Sequence, residues 1–180
     1  EGTATMKSRS AYLAALVFAA LIGECHAVTL TMLPVGTPGN TPDARIFSAL
    51  DRGTVNYNYY IDKYDVTNAQ YVEFLNAKAS AADPFALFDD RMATEDNGGI
   101  ARSASAPFTY TAKPGMDNKP VIFVSWFDAL RFTNWLTNGQ GSGDTESGSY
   151  LIAGGGPNSG TATVPTAAER AAWTGHSLHY

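Results

Sequence analysis

Residues 61–76 read Ile-Asp-Lys-Tyr-Asp-Val-Thr-Asn-Ala-Gln-Tyr-Val-Glu-Phe-Leu-Asn (IDKYDVTNAQYVEFLN), and a change of period inside this stretch decides what the fold is made of. Up to Tyr64 the chain alternates: over residues 55–64, Val55, Tyr57, Tyr59 and Ile61 fall on one side and Asn56, Asn58, Tyr60 and Asp62 on the other. A period of two belongs to a half-buried strand. At Thr67 the period changes. Thr67 and Gln70 are spaced as a capping box, in which a hydroxyl and a side-chain amide satisfy two orphan backbone N–H groups. Ala69, Tyr71, Val72, Phe74 and Leu75 then recur at three and four, predicting a helix over residues 67–79 that ends before Asp83 and Pro84. The tyrosine-rich strand face is read as core packing, with sugar stacking as its alternative.

Outward from this stretch the pattern repeats. Residues 120–124 (PVIFV) form a short apolar run behind a proline, which predicts a strand buried on both faces. Ser125 and Asp128 make a second capping box, followed by a helix to about Leu136 with Asn138 and Gly139 as its stop. Its Ala129, Leu130, Phe132, Thr133 and Leu136 cover more than one face, so it is expected to lie sandwiched in the core. Ser125 and Asp128 also resemble a nucleophile with an acid, but no histidine is near them in sequence and the cap accounts for both.

The remaining segments are punctuated by breakers. Residues 28–33 (VTLTML) alternate and predict a strand with Val28, Leu30 and Met32 on one face, and residues 36–43 predict a loop. Residues 85–119 read as loop. Their acidic patch of Asp89, Asp90, Glu95 and Asp96 could offer hard oxygen ligands to calcium, but it lacks the alternating spacing of a calcium loop and is read as solvated. Residues 139–163 are rich in Gly, Ser and Thr around Tyr150, Leu151 and Ile152, which suits either a small hairpin or a flexible linker to another domain.

Composition bounds the function. The chain has 180 residues, 44% apolar and 12% aromatic, which excludes collagen, coiled coil and disordered polyelectrolyte. Its net charge is −5, and its 12 basic residues are scattered, so nucleic acid is not an expected partner.

Lys7 and Arg9 precede an apolar run over residues 11–22, and small residues stand at Cys25 and Ala27. This is the layout of a secretory signal peptide cleaved after Ala27, with Met6 as initiator and residues 1–5 upstream of the gene product proper. The apolar run is shorter than the ~20 residues a membrane span needs, so no stable membrane insertion is expected after cleavage. A lipoprotein reading at Cys25 fits poorly because Glu24 precedes it. The chain has one cysteine, Cys25, so residues 28–180 would reach an oxidising compartment without a thiol. Disulfides, cysteine-ligated zinc and cysteine nucleophiles are excluded together. His176 and His179 could share a metal, but they lack a third ligand nearby in sequence.

Residues 61–76 resemble the "K-Y-E-V-T-N-A-Q-Y-x-x-F" signature of the formylglycine-generating enzyme family, the sulfatase-modifying factors. Residues 119–129 (KPVIFVSWFDA) resemble its "P-V-x-x-V-S-W-x-D-A" segment, and residues 131–136 (RFTNWL) resemble the family's sequence immediately after that segment. The "G-N-x-x-D" loop at residues 39–43 is similar to that of a secreted bacterial subgroup that often carries an exosortase-type sorting tail. The resemblance covers about residues 30–170. It implies an α+β, C-type-lectin-like domain, with two helices on small antiparallel sheets and long loops. It also implies oxidation of a substrate cysteine to formylglycine by copper held on an enzyme cysteine pair, with calcium as a further ion.

This chain departs from that pattern. Residues 164–170 (VPTAAER) look like "L-P-T-E-A-E-W", but Ala167 and Arg170 replace the usual Glu and Trp, and the continuation dissolves into residues 173–180. The expectation is a domain incomplete at its C-terminus and lacking the catalytic cysteines, so that no catalytic, cofactor-binding or metal residue carries over to any position. Apolar faces at Tyr57, Tyr59, Phe127 and Leu130 are expected to stay partly uncovered, making residues 28–180 marginally stable alone. Two functions are open. One is a non-catalytic, lectin-like module, secreted or held at the periplasm or cell surface, with a protein or glycan ligand. The other is a portion of a formylglycine-generating oxidase.

Overall fold

The computed structural model describes residues 27–42 and 59–166. The leader, Tyr57, the side chain of Tyr59, and His176 and His179 lie outside the described residues. Strand β1 (Met32–Val35) pairs antiparallel with β2 (Tyr59–Asp62), with Leu33 opposite Ile61. Helix α1 (Asn68–Lys78) and the short α2 (Arg91–Thr94) come after them. Strand β3 (Ile100–Arg102) pairs with β4 (Tyr110–Ala112), helix α3 (Trp126–Thr137) comes next, and β5 (Leu151–Ala153) pairs with β6 (Thr161–Thr163). The described residues thus form an α+β fold of helices and three separate two-stranded antiparallel sheets.

Both helices begin where the sequence places their caps. The Gln70 N–H donates to the Thr67 hydroxyl at 3.3 Å, and Gln70 Oε1 accepts the Thr67 N–H at 2.9 Å. At α3 the Asp128 N–H donates to Ser125 Oγ at 3.2 Å, and Asp128 Oδ2 accepts the Ser125 N–H at 3.0 Å. The stop of α3 is equally local. Gly139 takes φ of 79°, which a glycine adopts without steric cost, and the Gly139 and Gln140 N–H groups reach back to the Leu136 and Trp135 carbonyls.

The core forms where α1 meets α3. Phe74 is fully buried, its ring centroid 5.5 Å from Tyr71, 5.4 Å from Phe132 and 5.2 Å from Trp135. Leu87, Phe88, Met92, Ile100 and Tyr110 continue this core under α1. Asn76 joins the helix to the second sheet: its amide accepts the Tyr110 N–H at 2.9 Å and donates to the Tyr110 carbonyl at 3.0 Å.

Several elements differ from their sequence reading. The first strand begins at Met32 rather than Val28 and runs through Pro34, because backbone groups upstream are taken by side chains: the Thr31 N–H goes to Asp62 Oδ1, the Thr29 carbonyl to Gln70, and both Val28 groups to Gln140. Proline is tolerated there because a two-stranded sheet has only edge strands. Residues 120–124 are no strand. Pro120 makes an isolated bridge to Thr67, the Val121 N–H donates to the Val66 carbonyl, and Phe123 turns into the left-handed region at φ of 63°, ending any extended run; residues 121–124 are half-buried.

Residues 85–119 hold α2, β3 and β4. Elements of three or four residues show no periodicity, which is why that stretch reads as loop. In α3, Ala129 is exposed, while Asp128, Arg131, Asn134 and Thr137 are buried beside the apolar residues. Leu130 is buried and Phe127 half-buried, so neither face is left open to the extent expected. Residues 151–163 make the hairpin, not a linker.

Candidate functional site

The N-terminus of α1 is flanked by two segments distant in sequence. On one side residues 28–31 form a strap: Val28 is held by Gln140, the Thr29 carbonyl accepts Gln70 Nε2 at 3.1 Å, and Thr31 is tied to Asp62. On the other side Asn68 Nδ2 donates to the carbonyls of Met116 at 2.9 Å and Lys119 at 3.0 Å, and the Asn68 and Ala69 N–H groups reach the Lys119 and Asp117 carbonyls. Between strap and loop opens a cleft of about 340 Å³. It is lined by Thr67 and Gln70 of the cap, by Thr29, Thr31, Asp62, Tyr64 and Asp65, and by Asn118 with Pro120.

Eight of the nine lining residues carry a polar group, set among carbon atoms that make up most of the exposed wall. The Thr29 and Thr31 hydroxyls and the side chains of Asp65 and Asn118 form no hydrogen bond with another described residue. Tyr64 is 62% exposed, with the Lys63 ammonium 5.1 Å from its ring centroid. An array of hydroxyls, two amides, two carboxylates and an aromatic face can hydrogen-bond and stack on a polar ligand. It contains no thiol and no imidazole.

A second polar cluster lies inside α3. Arg131 is fully buried; its Nε donates to Glu146 Oε1 at 2.7 Å, its terminal nitrogens donate to Glu146 Oε2 and to the Gly156 and Pro157 carbonyls, and its guanidinium lies 4.1 Å from the Phe85 ring centroid. Asp128 Oδ1 is buried without a hydrogen-bond partner, 4.0 Å from Arg131. Burial, with some help from the Asp83 charge, pushes the Asp128 carboxyl above the usual carboxylate range, while the Ser125 hydrogen bonds and Arg131 pull it only part of the way back. Burial, then the charges of Asp128 and Asp83, push the Tyr71 phenol well up. The Tyr71 hydroxyl donates to the Leu87 carbonyl at 3.0 Å. Arg131, Asp128 and Tyr71 face protein rather than solvent, and only Glu146 is partly open, so the cluster is an internal brace.

The sequence-derived candidates sort accordingly. Ser125 and Asp128 meet as a helix cap. In the acidic patch, Asp89 pairs with Arg91 at 2.7 Å, and that hydrogen bond holds its carboxyl below the usual range; Asp90 pairs with Arg102 at 3.0 Å. Among the described residues no group of three or more His, Cys, Asp and Glu side chains could hold a metal. Copper on a cysteine pair does not fit this donor set either, since the chain's one cysteine is Cys25. The cleft itself escaped sequence reasoning. Its one local signal is the alternation of residues 28–33, which puts Thr29 and Thr31 opposite Val28, Leu30 and Met32; the approach of Asn118 is tertiary.

The comparisons with known proteins come to one match. A family model described as the sulfatase-modifying factor enzyme 1-like domain, FGE-sulfatase, matches residues 32–177. No curated protein and no solved structure matches the chain. The matched span takes in every strand and helix from β1 to β6 and both capping boxes. The chain therefore belongs to the FGE-sulfatase family of sulfatase-modifying factor enzyme 1-like domains.

Proposed function

We propose that this chain is an exported, non-catalytic binding module of its family, with a C-type-lectin-like scaffold, which takes a hydroxyl-rich ligand, a glycan or a short polar peptide, in the cleft at the start of α1. One observation carries this reading. The chain's single cysteine is Cys25, so residues 28–180 do not supply the cysteine pair that oxidation to formylglycine requires, and the family scaffold is left with a cleft of mixed polar and apolar wall. Threonine hydroxyls both donate and accept, Asp62 and Asp65 accept from ligand hydroxyls or amides, and the exposed Tyr64 ring supplies a stacking face.

The second reading, a portion of a formylglycine-generating oxidase, has family membership in its favour. It needs a cysteine pair encoded beyond these residues. Glycan-array binding and NMR titration of the exported protein test the first reading. Ligand-induced shifts should centre on Thr29, Thr31, Asp65 and Asn118, and Tyr64→Ala should weaken binding about 5- to 20-fold, the loss of one stacking contact. Copper-dependent oxidation of a cysteine peptide by this chain would overturn it, as would binding that maps elsewhere.

A further inference from the structure

The signal-peptide pattern and the packing of the folded chain meet at one bond. The small-x-small motif of Cys25, His26 and Ala27 points to cleavage between Ala27 and Val28. Ala27 is exposed and Val28 is the first buried residue among the described residues. Across 112 positions of sequence, the Val28 N–H donates to Gln140 Oε1 at 2.7 Å, and Gln140 Nε2 donates to the Val28 carbonyl at 2.8 Å. One side-chain amide thus grips both backbone groups of the residue that cleavage would make the first.

Gln140 is held for this task at some cost. Its φ of 64° lies in the left-handed region, which a non-glycine residue adopts only when its surroundings impose it. Its own N–H closes the last turn of α3 on the Trp135 carbonyl, so its side chain projects from the carboxyl end of that helix. A helix carboxyl end favours positive charge.

We propose that Ala27–Val28 is a processing site and that Gln140 is the receptor for the amino terminus processing creates. The step is hydrolysis by a signal peptidase with water as co-reactant: the amide bond breaks, Ala27 leaves with the carboxylate, and Val28 keeps an ammonium that donates to Gln140 Oε1. The order of events is set by the chain. The clamp joins residues 112 apart and so exists only once the exported chain has folded, whereas cleavage acts on the chain at the membrane, so the clamp acts on a finished end. Docking seals that end against exopeptidases and fixes the strap whose Thr29 and Thr31 line the cleft. The inference rests on the export reading above.

The test expresses the chain from Met6 in a bacterial host, determines the mass and first residue of the exported protein, and follows its trimming by an aminopeptidase. The exported protein should begin at Val28 and resist trimming. Gln140→Gly accommodates the left-handed backbone and removes the whole side chain, the clamping amide with it, and it should be trimmed about tenfold faster, the factor expected when two hydrogen bonds are lost and cleavage tracks the opened end. Gln140→Glu, which offers the ammonium a carboxylate but cannot donate to the Val28 carbonyl, should be trimmed more slowly than Gln140→Gly. Wild-type protein gives an independent readout: acetylation of the Val28 amine should be about tenfold slower in the folded than in the urea-unfolded protein. A different first residue, equal trimming of wild type and Gln140→Gly, or equal acetylation overturns the clamp and leaves export standing. Retention of residues 6–27 on unexported protein overturns both.

Discussion

The side-chain amide of Asn68 occupies the space that a β-carbon on Gly99 would need, so that an ideal Cβ there would overlap Asn68 Nδ2. The amide cannot yield, because Nδ2 is already committed to the Met116 and Lys119 carbonyls and the residue is 1% exposed. Gly99→Ala should therefore cost about 3 kcal/mol of stability through overpacking and loss of those bonds. Gly115→Ala, with φ of 75° but open space around it, should cost only about 1 kcal/mol. Urea denaturation of the two variants checks the order.

Arg131 gives a charge-based prediction. Its guanidinium is fully buried, while Glu146 is about one-third exposed, at 32%. Glu146→Gln leaves a buried cation short of its counter-charge and should cost about 2–3 kcal/mol, below the range for fully buried pairs because water reaches the carboxylate. Adding Arg131→Met should cost less than the sum of the single changes. A double-mutant cycle with no coupling would remove the brace from the account of α3.

Asp128 predicts a pH effect of defined sign. Because burial raises its carboxyl in the folded state, the folded chain holds that proton more tightly than the unfolded chain does, so this group's contribution to stability falls as pH rises through the raised value. Asp128→Asn still accepts the Ser125 N–H through its amide oxygen but carries no charge. Relative to the parent it should gain stability between about pH 4 and pH 7. Unfolding free energies across that window decide it: a difference that stays flat contradicts the assignment.

Phe74 tests where the core lies. It touches Tyr71, Phe132 and Trp135 and has no exposed surface, so Phe74→Ala should cost about 3–5 kcal/mol. Leu33→Ala, at a position 43% exposed on β1, should cost under about 1 kcal/mol. Thermal melts of the two variants should separate clearly.

What the sequence disclosed was local. Each capping box is four residues with a fixed spacing, and both formed as spaced. What it concealed depends on contacts between distant residues. The apolar run at residues 120–124 carries a composition but no period, and a left-handed Phe123 cannot be read from it. In α3 a reading by apolarity passes over Arg131, Asn134 and Thr137, which are buried because Glu146, Thr145, Tyr150 and Ser149 arrive to bond them. The cleft is the same case. Thr29 and Thr31 alternate visibly, but Asn118 joins them only through the Asn68 bonds to the Met116 and Lys119 carbonyls.

The hairpin of β5 and β6 turns through the glycines at 154–156, a composition that would ordinarily invite an engineer to open the chain there, graft a reporter or move the termini. Arg131 reaches into that turn and holds the carbonyls of Gly156 and Pro157. A circular permutant opened at this tip would tear out the acceptors of a buried cation. The turn at residues 37–40 is closed by the Asn40 N–H to Thr37 carbonyl bond and is exposed at residues 36–39, so it is the better place to splice in foreign sequence.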